Sequence, residues 1–431
     1  MRVFSATVLL LSALLYQKGR FYRNVLFPEP RLPTGYFYGG SVDDRCHTYD
    51  VEDLAYCEDA TLWRLLDDTG ALKEQKAIIS CDKGRKQWNT VMGPLKTPGP
   101  RGTLWVSTPS SDKEVARPQK IDLQGYPAGH DFHPLGIAVY PSYGGNSSNL
   151  YAVNHAGGSS VIEQFSISTE NPTVATWVRT ISSPYFVAPN ALSLTSSHSF
   201  YLSNDHLFTR RLPSLLGEVL PLTESLLGLP LGWVAHVTLD ASPSASEPVL
   251  SHSFAKLGIP FPNGVTLSPD GNTLAVSSTT EGAVQFYTRN ATDNTLSARK
   301  TVYLPFTPDN AEYDEHGRLI VAGHPSFLAL SKLAKGKAEV APSWVTAITP
   351  RRATEGGGGD AALSEEFDIG APLPVSAKVP PSKDFEVTTL FQSNGTGFSA
   401  STTGLFDTLT ESFYVTGLYA NEGVIVCNAK N

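Results

Sequence analysis

Hard oxygen donors recur beside short β-like runs in this chain. Asn154 and His155 follow Leu150-Tyr151-Ala152-Val153, and Asn204-Asp205-His206 follow the run Ser199 to Ser203. Asp309-Asn310 come after Val302 to Phe306, and Asn190 after Tyr185-Phe186-Val187. Glu58-Asp59 stand near the start of the β-like region. Carboxylate and amide oxygens are the groups that Ca²⁺ collects, about six to eight at a time. Each Asn taken alone is equally an ordinary turn residue. Donors so distant in sequence require a fold that brings many strand ends to one place.

The elements that must position them run from about residue 55 to 345. Short apolar or β-branched runs alternate there with turns, as in Gly102–Val106, Gly136–Tyr140, Ser160–Phe165 and Ala283–Tyr287. Strands spaced every ~8–12 residues predict a sandwich, barrel or propeller. Over so long a stretch a propeller is favoured, because its four-stranded blades repeat at roughly 40–50 residues. One unit is legible: Asn263–Leu267, a turn carrying Pro269 and Gly271, Thr273–Ser277, then Gly282–Tyr287. Similar units recur near 133–166 and 308–330. Thr388–Phe391 and Gly423–Val426 are expected to complete the last blade together with an N-terminal strand.

Two segments break this texture. Ser214–Trp233 is Leu-rich with proline breaks and reads as a helix-containing lid packed on the core; contact with a membrane or lipoprotein is the other reading. Residues 351–383, with Gly356–Gly359 and several prolines, read as a flexible insertion.

Hydrophobic residues make up 41% of the 431, enough for a sizeable core. Charged residues are 17%, below the usual ~25%, and with 36 Gly and 31 Pro the chain suits a turn-rich β protein. A net charge of -8 argues against a nucleic-acid groove. Residues 1–20 hold a basic start and the apolar run Val3–Tyr16. That run is shorter than the ~20 residues of a spanning helix and reads as a secretory signal or an uncleaved signal-anchor. An uncleaved segment would tether the chain to a membrane or lipid surface.

Asn146-Ser147-Ser148, Asn290-Ala291-Thr292 and Asn394-Gly395-Thr396 are glycosylation acceptor patterns, of which Asn290 fits best in its polar turn. Cys46, Cys57, Cys81 and Cys427 fit an oxidising compartment. A Cys46–Cys427 bridge would close a circular fold at its seam, and Cys57–Cys81 would staple a hairpin; the sequence does not choose among the pairings. No Cys-x₂-Cys pair supports zinc.

Several segments together resemble the serum paraoxonase/arylesterase family of calcium-dependent lactonases, particularly its fungal-type relatives. They are Cys57-Glu58-Asp59, Phe132-His133-Pro134-Leu135-Gly136-Ile137, Tyr151 to His155, Phe200 to His206, Phe261 to Gly271, Asp309-Asn310 and Gly323-His324-Pro325. The resemblance covers roughly 45–345 plus the terminal cysteine. It implies an all-β, six-bladed propeller over 45–431 with a short N-terminal hydrophobic helix, a lid-like insertion and a calcium in its tunnel. It maps the catalytic calcium onto Glu58, Asn190, Asn204, Asp309 and Asn310. A second calcium would use Asp59 and the Ile137 carbonyl, yet Ala191 stands where that site needs an Asp. The family's His dyad maps onto Leu135 and His155, so His155, with His133 two residues before the lost position, is the candidate base. His206 and His324 are expected near the same pole.

The implied activity is calcium-dependent hydrolysis of small apolar aryl esters and lactones, with phosphotriesters as side substrates. No Gly-x-Ser-x-Gly elbow or phosphate-binding loop offers another route. Two alternatives stand: a non-catalytic, calcium-stabilised binding propeller of the secretory pathway, and a gluconolactonase-like sugar-lactone hydrolase.

Overall fold

The computed structural model describes residues 31–96, 99–108, 117–351 and 370–428, with isolated positions 12, 19 and 22. The N-terminal apolar run, apart from Ser12, and the glycine-rich part of the insertion lie outside the described residues.

Six sheets form the molecule, each built on four antiparallel strands. Blade one holds Cys57–Leu66, Leu72–Cys81, Thr103–Ser107 and Gln119–Lys120, and blade two holds Pro134–Val139, Ser148–Asn154, Val161–Ile167 and Val174–Ile181. Blade three holds Pro189–Ser196, Ser199–Asn204, Gly232–Leu239 and Val249–Ile259, and blade four Pro262–Leu267, Thr273–Ser278, Ala283–Arg289 and Leu296–Tyr303. Blade five holds Thr307–Tyr313, Leu319–His324, Ser343–Pro350 and Phe385–Ser393. Blade six holds Ser401–Asp407, Ser412–Gly417 and Val424–Asn428, with Cys46–Thr48 from the other end of the chain as its outermost strand. The first strand of each blade touches the first strand of the next, and blade six touches blade one. This closed ring is the expected six-bladed β-propeller.

The core lies between blades. Trp63 and Ile78 of blade one pack with Phe132, Ile137 and Phe165 of blade two. Equivalent layers fill each remaining gap, ending with Tyr414 and Val426 of blade six against Ala60 and Ile79 of blade one. Sheets covered on both faces explain why inner segments such as Ala77-Ile78-Ile79 are wholly buried instead of alternating. The inner strands come so close that two positions must be glycine. A Cβ on Gly136 would stand 2.3 Å from the Asn190 carbonyl oxygen, and one on Gly264 would stand 2.7 Å from the Asn310 Cα.

Both disulfides are present: Cys57–Cys81 between the first two strands of blade one, and Cys46–Cys427 across the seam of blade six. Two disulfides fit folding in an oxidising compartment. Asn146, Asn290 and Asn394 are all exposed. Among the described residues no helix is long and apolar enough to cross a membrane. The described flank of the insertion is packed: Val375 and Val379 join the core layer between blades four and five.

The Cys46–Cys427 bridge spans 381 residues of sequence. The chain-entropy model assigns such a loop about 4–6 kcal/mol. Replacing Cys46 by Ser should lower denaturant stability by that order, read by tryptophan fluorescence. Protease should then cut first in the strand Cys46–Thr48, which pairs on one side only.

Candidate active site

Every blade carries a β-bulge at the same end of its innermost strand. The register slips at Glu58 in blade one, at 135–136 in blade two, at 190–191 in blade three and at 263–264 in blade four. It slips again at 309–310 in blade five and at Thr402 in blade six. A bulge adds one residue to one strand and re-aims its side chains. Here the slips fall at one pole, and Glu58, Leu135, Asn190, Asn263 and Asp309 all line one funnel. The site residues therefore stand at the starts of inner strands, and not in turns after β runs as the sequence suggests. In blades two to five a proline precedes the slip: Pro134, Pro189, Pro262 and Pro308. Proline has no ladder N–H to lose at a strand's first residues or at a bulge.

Buried oxygens without partners mark the funnel floor. They are Glu58 Oε2, Asn190 Oδ1, Asn263 Oδ1 and Asn310 Oδ1, from four different blades. Each unsatisfied group costs about 1–3 kcal/mol, so four at one pole ask for a shared partner. The amide nitrogens of these Asn side chains are engaged: Asn190 Nδ2 donates to Asp205 Oδ2 (3.1 Å), Asn263 Nδ2 to Thr279 Oγ1 (3.3 Å) and Asn310 Nδ2 to Glu58 Oε1 (3.2 Å). That fixes the oxygens as the free ends. Asp309 adds a carboxylate, one oxygen of which is 2.8 Å from His324 Nε2. Among the described residues no three His, Cys, Asp or Glu side chains group as a metal site. The donor set present, two carboxylates and three amides, fits a hard cation such as Ca²⁺. Burial, then the charges of Asp59 and Asp309, pushes the Glu58 carboxyl well above its usual range.

Asn204 does not join this set. Its Oδ1 accepts from the backbone amides of Val187 (3.2 Å) and Ala188 (3.3 Å), tying down the segment that enters blade three. Asn154 does the same in blade two, accepting from His133 N at 2.8 Å. Asn263 is the residue that sequence reasoning missed. Its signal was the Pro-Asn pair it shares with Pro189-Asn190, and the resemblance to Pro308-Asp309.

Asp59 and Ile137 meet differently from the expectation of a second ion. The Ile137 N–H, and not a carbonyl, reaches Asp59, donating to Oδ2 at 2.8 Å. Oδ1 accepts from Ala60 N (2.8 Å) and Thr403 Oγ1 (3.0 Å). The carboxylate is thus satisfied within the protein, and the N–H of Ala191 goes to Ser203 Oγ. Burial raises the Asp59 pKa to about 7 against the pull of these donors.

The two candidate bases differ in what their nitrogens do. His155 Nε2 lies 2.8 Å from the Pro189 carbonyl, which only accepts, so Nε2 carries the proton. Nδ1 then accepts from Thr90 Oγ1 at 2.7 Å. Both nitrogens are occupied, and burial lowers the His155 pKa to about 4. His133 Nδ1 is 3.0 Å from Asp82 Oδ2, while Asp82 Oδ1 accepts from Gly84 N at 2.9 Å. Asp82 therefore orients a His133 whose Nε2 has no protein partner at the funnel wall. Asp82 carries no sequence signal, since it meets His133 only through the packing of blade one on blade two.

A chain of side chains links the floor to the helix Ser214–Leu227. Asn190 Nδ2 reaches Asp205, Asp205 Oδ1 is 3.0 Å from His206 Nδ1, and His206 Nε2 is 2.7 Å from Ser225 Oγ. Glu224 accepts from the Leu207 and Phe208 amides at 3.0 Å each. The helix buries this polar face, and its leucines point away: Leu215 is 68% and Leu216 55% exposed. The expected lid is there, but polar contacts hold it, and its apolar face does not pack on the core.

The fold and funnel define a propeller with a polar, cation-fitting floor under apolar walls. A family model described as Arylesterase matches residues 95–354, well over half of the chain, and the chain belongs to that family. It is 28% identical over 200 residues to human serum paraoxonase/arylesterase 1, covering 46% of this chain and 51% of that protein. It is 25% identical over 234 residues to serum paraoxonase/arylesterase 2 of Gallus gallus, covering 54% and 60%. The chain thus matches about half the length of these curated relatives. Among solved structures, a gluconolactonase from Xanthomonas campestris aligns at a TM-score of 0.42 and 13% identity over 94% of this chain and 97% of that one. A luciferin-regenerating enzyme aligns at 0.45 and 10% identity over 90% and 95%.

His155 has a folded pKa of about 4 against 6.5 for a free imidazole. The unfolded chain therefore binds more protons between these values, and the contribution of His155 to stability, present above about pH 6.5, is lost as pH falls towards 4. Gln keeps one donor and one acceptor without titrating. His155→Gln should make the acid limb of thermal stability shallower, by on the order of 2–3 kcal/mol at pH 4, read by circular dichroism melts from pH 4 to 8.

Proposed function

We propose that this protein is a calcium-dependent hydrolase of carboxylic esters and lactones. The observation that carries the reading is the set of four buried, unpartnered oxygens on four blades: three belong to residues that line one funnel with Asp309, and the fourth belongs to Asn310, which is hydrogen-bonded to Glu58. Membership of the arylesterase family supports it.

Glu58, Asn190, Asn263, Asp309 and Asn310 would hold the ion. When bound, Ca²⁺ supplies positive charge that polarises a carbonyl oxygen and favours the negative charge that develops there. His133 supplies the base: Asp82 keeps its proton on Nδ1, so Nε2 accepts one from water. Asp82 then stabilises the imidazolium that forms. His155, with both nitrogens committed, positions Thr90 and the Pro189 backbone beside Asn190. Leu135, Phe261, Phe327 and Leu418 give the funnel an apolar wall that takes the carbon skeleton of a substrate and excludes water. Lactone and ester substrates share the one electrophilic carbonyl that this arrangement addresses.

Calcium titration by calorimetry, paired with turnover of phenyl acetate and γ-lactones, tests the donor set. Asn263→Ala should weaken calcium by roughly tenfold or more and abolish turnover. Asn204→Ala should leave calcium affinity near wild type while lowering stability by about 1–3 kcal/mol. The reverse ranking would return Asn204 to the site. Protein that binds calcium yet turns over none of these substrates would sink the hydrolase reading.

The base is tested separately. His133→Gln should lower kcat by about 10²–10⁴ with calcium affinity unchanged. A larger loss of kcat in His155→Gln than in His133→Gln would overturn the assignment.

A further inference from the structure

Arg85 stands in the turn after Leu72–Cys81 and lines the funnel beside Glu58, His133 and Leu135. It is 3% exposed. One arm, Nη2, donates to the Pro134 carbonyl, and Nε has no partner at all. Among the described residues no carboxylate lies within ion-pair distance of it. A guanidinium keeps its charge at any pH a folded protein meets, and a buried cation without an anion is costly.

The acidic groups around the funnel do not fill that role. Asp82 accepts from His133 and Gly84, Asp205 from His206 and Asn190, and Asp309 is paired with His324. Glu58 is hydrogen-bonded by Asn310 and belongs to the ion-binding set. The charge of Arg85 nonetheless reaches the floor: it acts on Glu58, His155 and Tyr419. A guanidinium whose Nε–H has no partner among the described residues, set beside Trp88, Leu135 and Phe261, is a donor suited to a carboxylate.

We propose that Arg85 makes this funnel selective for substrates carrying a carboxylate beside the ester or lactone ring. The inference rests on the hydrolase reading above and adds the substrate class. The reacting carbonyl lies over the oxygen donors of the floor, and the substrate's own carboxylate lies against Arg85. The apolar wall covers the carbons between them.

Two rings that differ at one substituent test this on the calcium-loaded full chain. γ-Valerolactone carries a methyl group where γ-carboxy-γ-butyrolactone carries a carboxylate. Wild type should favour the carboxylate in kcat/KM by roughly tenfold to a hundredfold, and Arg85→Gln should abolish the preference. Arg85→Lys, which keeps the charge but loses the fork, should retain part of it and serves if the Gln variant does not fold. An equal fall for both rings in either variant would make Arg85 a counter-charge or a group acting on the reacting oxygen, and would overturn the proposal. So would a wild type that prefers the neutral ring. If wild type hydrolyses neither ring, the hydrolase reading is judged by its turnover of phenyl acetate, and the anion site is read by calorimetry with tetrahydrofuran-2-carboxylate. Binding by wild type that Arg85→Gln abolishes upholds the site; no binding by wild type overturns it.

Discussion

The site depends on a backbone irregularity repeated six times. A regular inner strand would alternate its side chains between the two neighbouring blades and present none to the axis. The bulge at the head of each inner strand breaks that alternation. It turns Glu58, Asn190, Asn263 and the Asp309-Asn310 pair inward at one level of the ring. Short side chains on the second strands steady it. Ser80 Oγ donates to the Leu135 carbonyl at 2.7 Å and Ser203 Oγ to the Asn263 carbonyl at 2.6 Å, each bridging one blade to the next. The donor geometry is thus a property of the ring as a whole.

Electrostatics follow from that geometry. Carboxylates brought to one axis and removed from water are hard to ionise. Burial raises Asp59 and Glu312 to about 7 and Glu58 well above its range. The protein answers with hydrogen-bond donors at Asp59 and with Thr266 at Glu312. At Glu58 it leaves one oxygen without a donor. The difference separates a carboxylate whose needs are met by the fold from one held ready for an external charge.

Much of this was legible in the sequence. Run spacing and turn chemistry predict the propeller, and the hard donors predict the chemistry. What misled was local position. Asn204 ends a β run, as a turn ligand should, yet the ladder places it opposite Pro189, where its amide serves the backbone. Asn263 reads as the start of an ordinary strand, and only the recurrence of proline before the slip in blades two to five sets it apart. The pairing of His133 with Asp82 joins residues 51 apart through blade packing, which no local pattern encodes. The Leu-rich helix misled through hydropathy: its burial is governed by Glu224 and Ser225, which satisfy backbone amides and His206.

The seam has a consequence for how the chain comes to be made. Glu58 is served from the last blade: Thr416 donates to its carbonyl oxygen, and Thr402 to that of Cys57. The strand that finishes that blade, Cys46–Thr48, precedes the other blade strands in the chain, and its partner Val424–Asn428 follows them. A growing chain therefore carries its donors as an open arc until Val424–Asn428 has been made. The donor set assembles only when these two strands meet, so the funnel floor reports that the ring has closed.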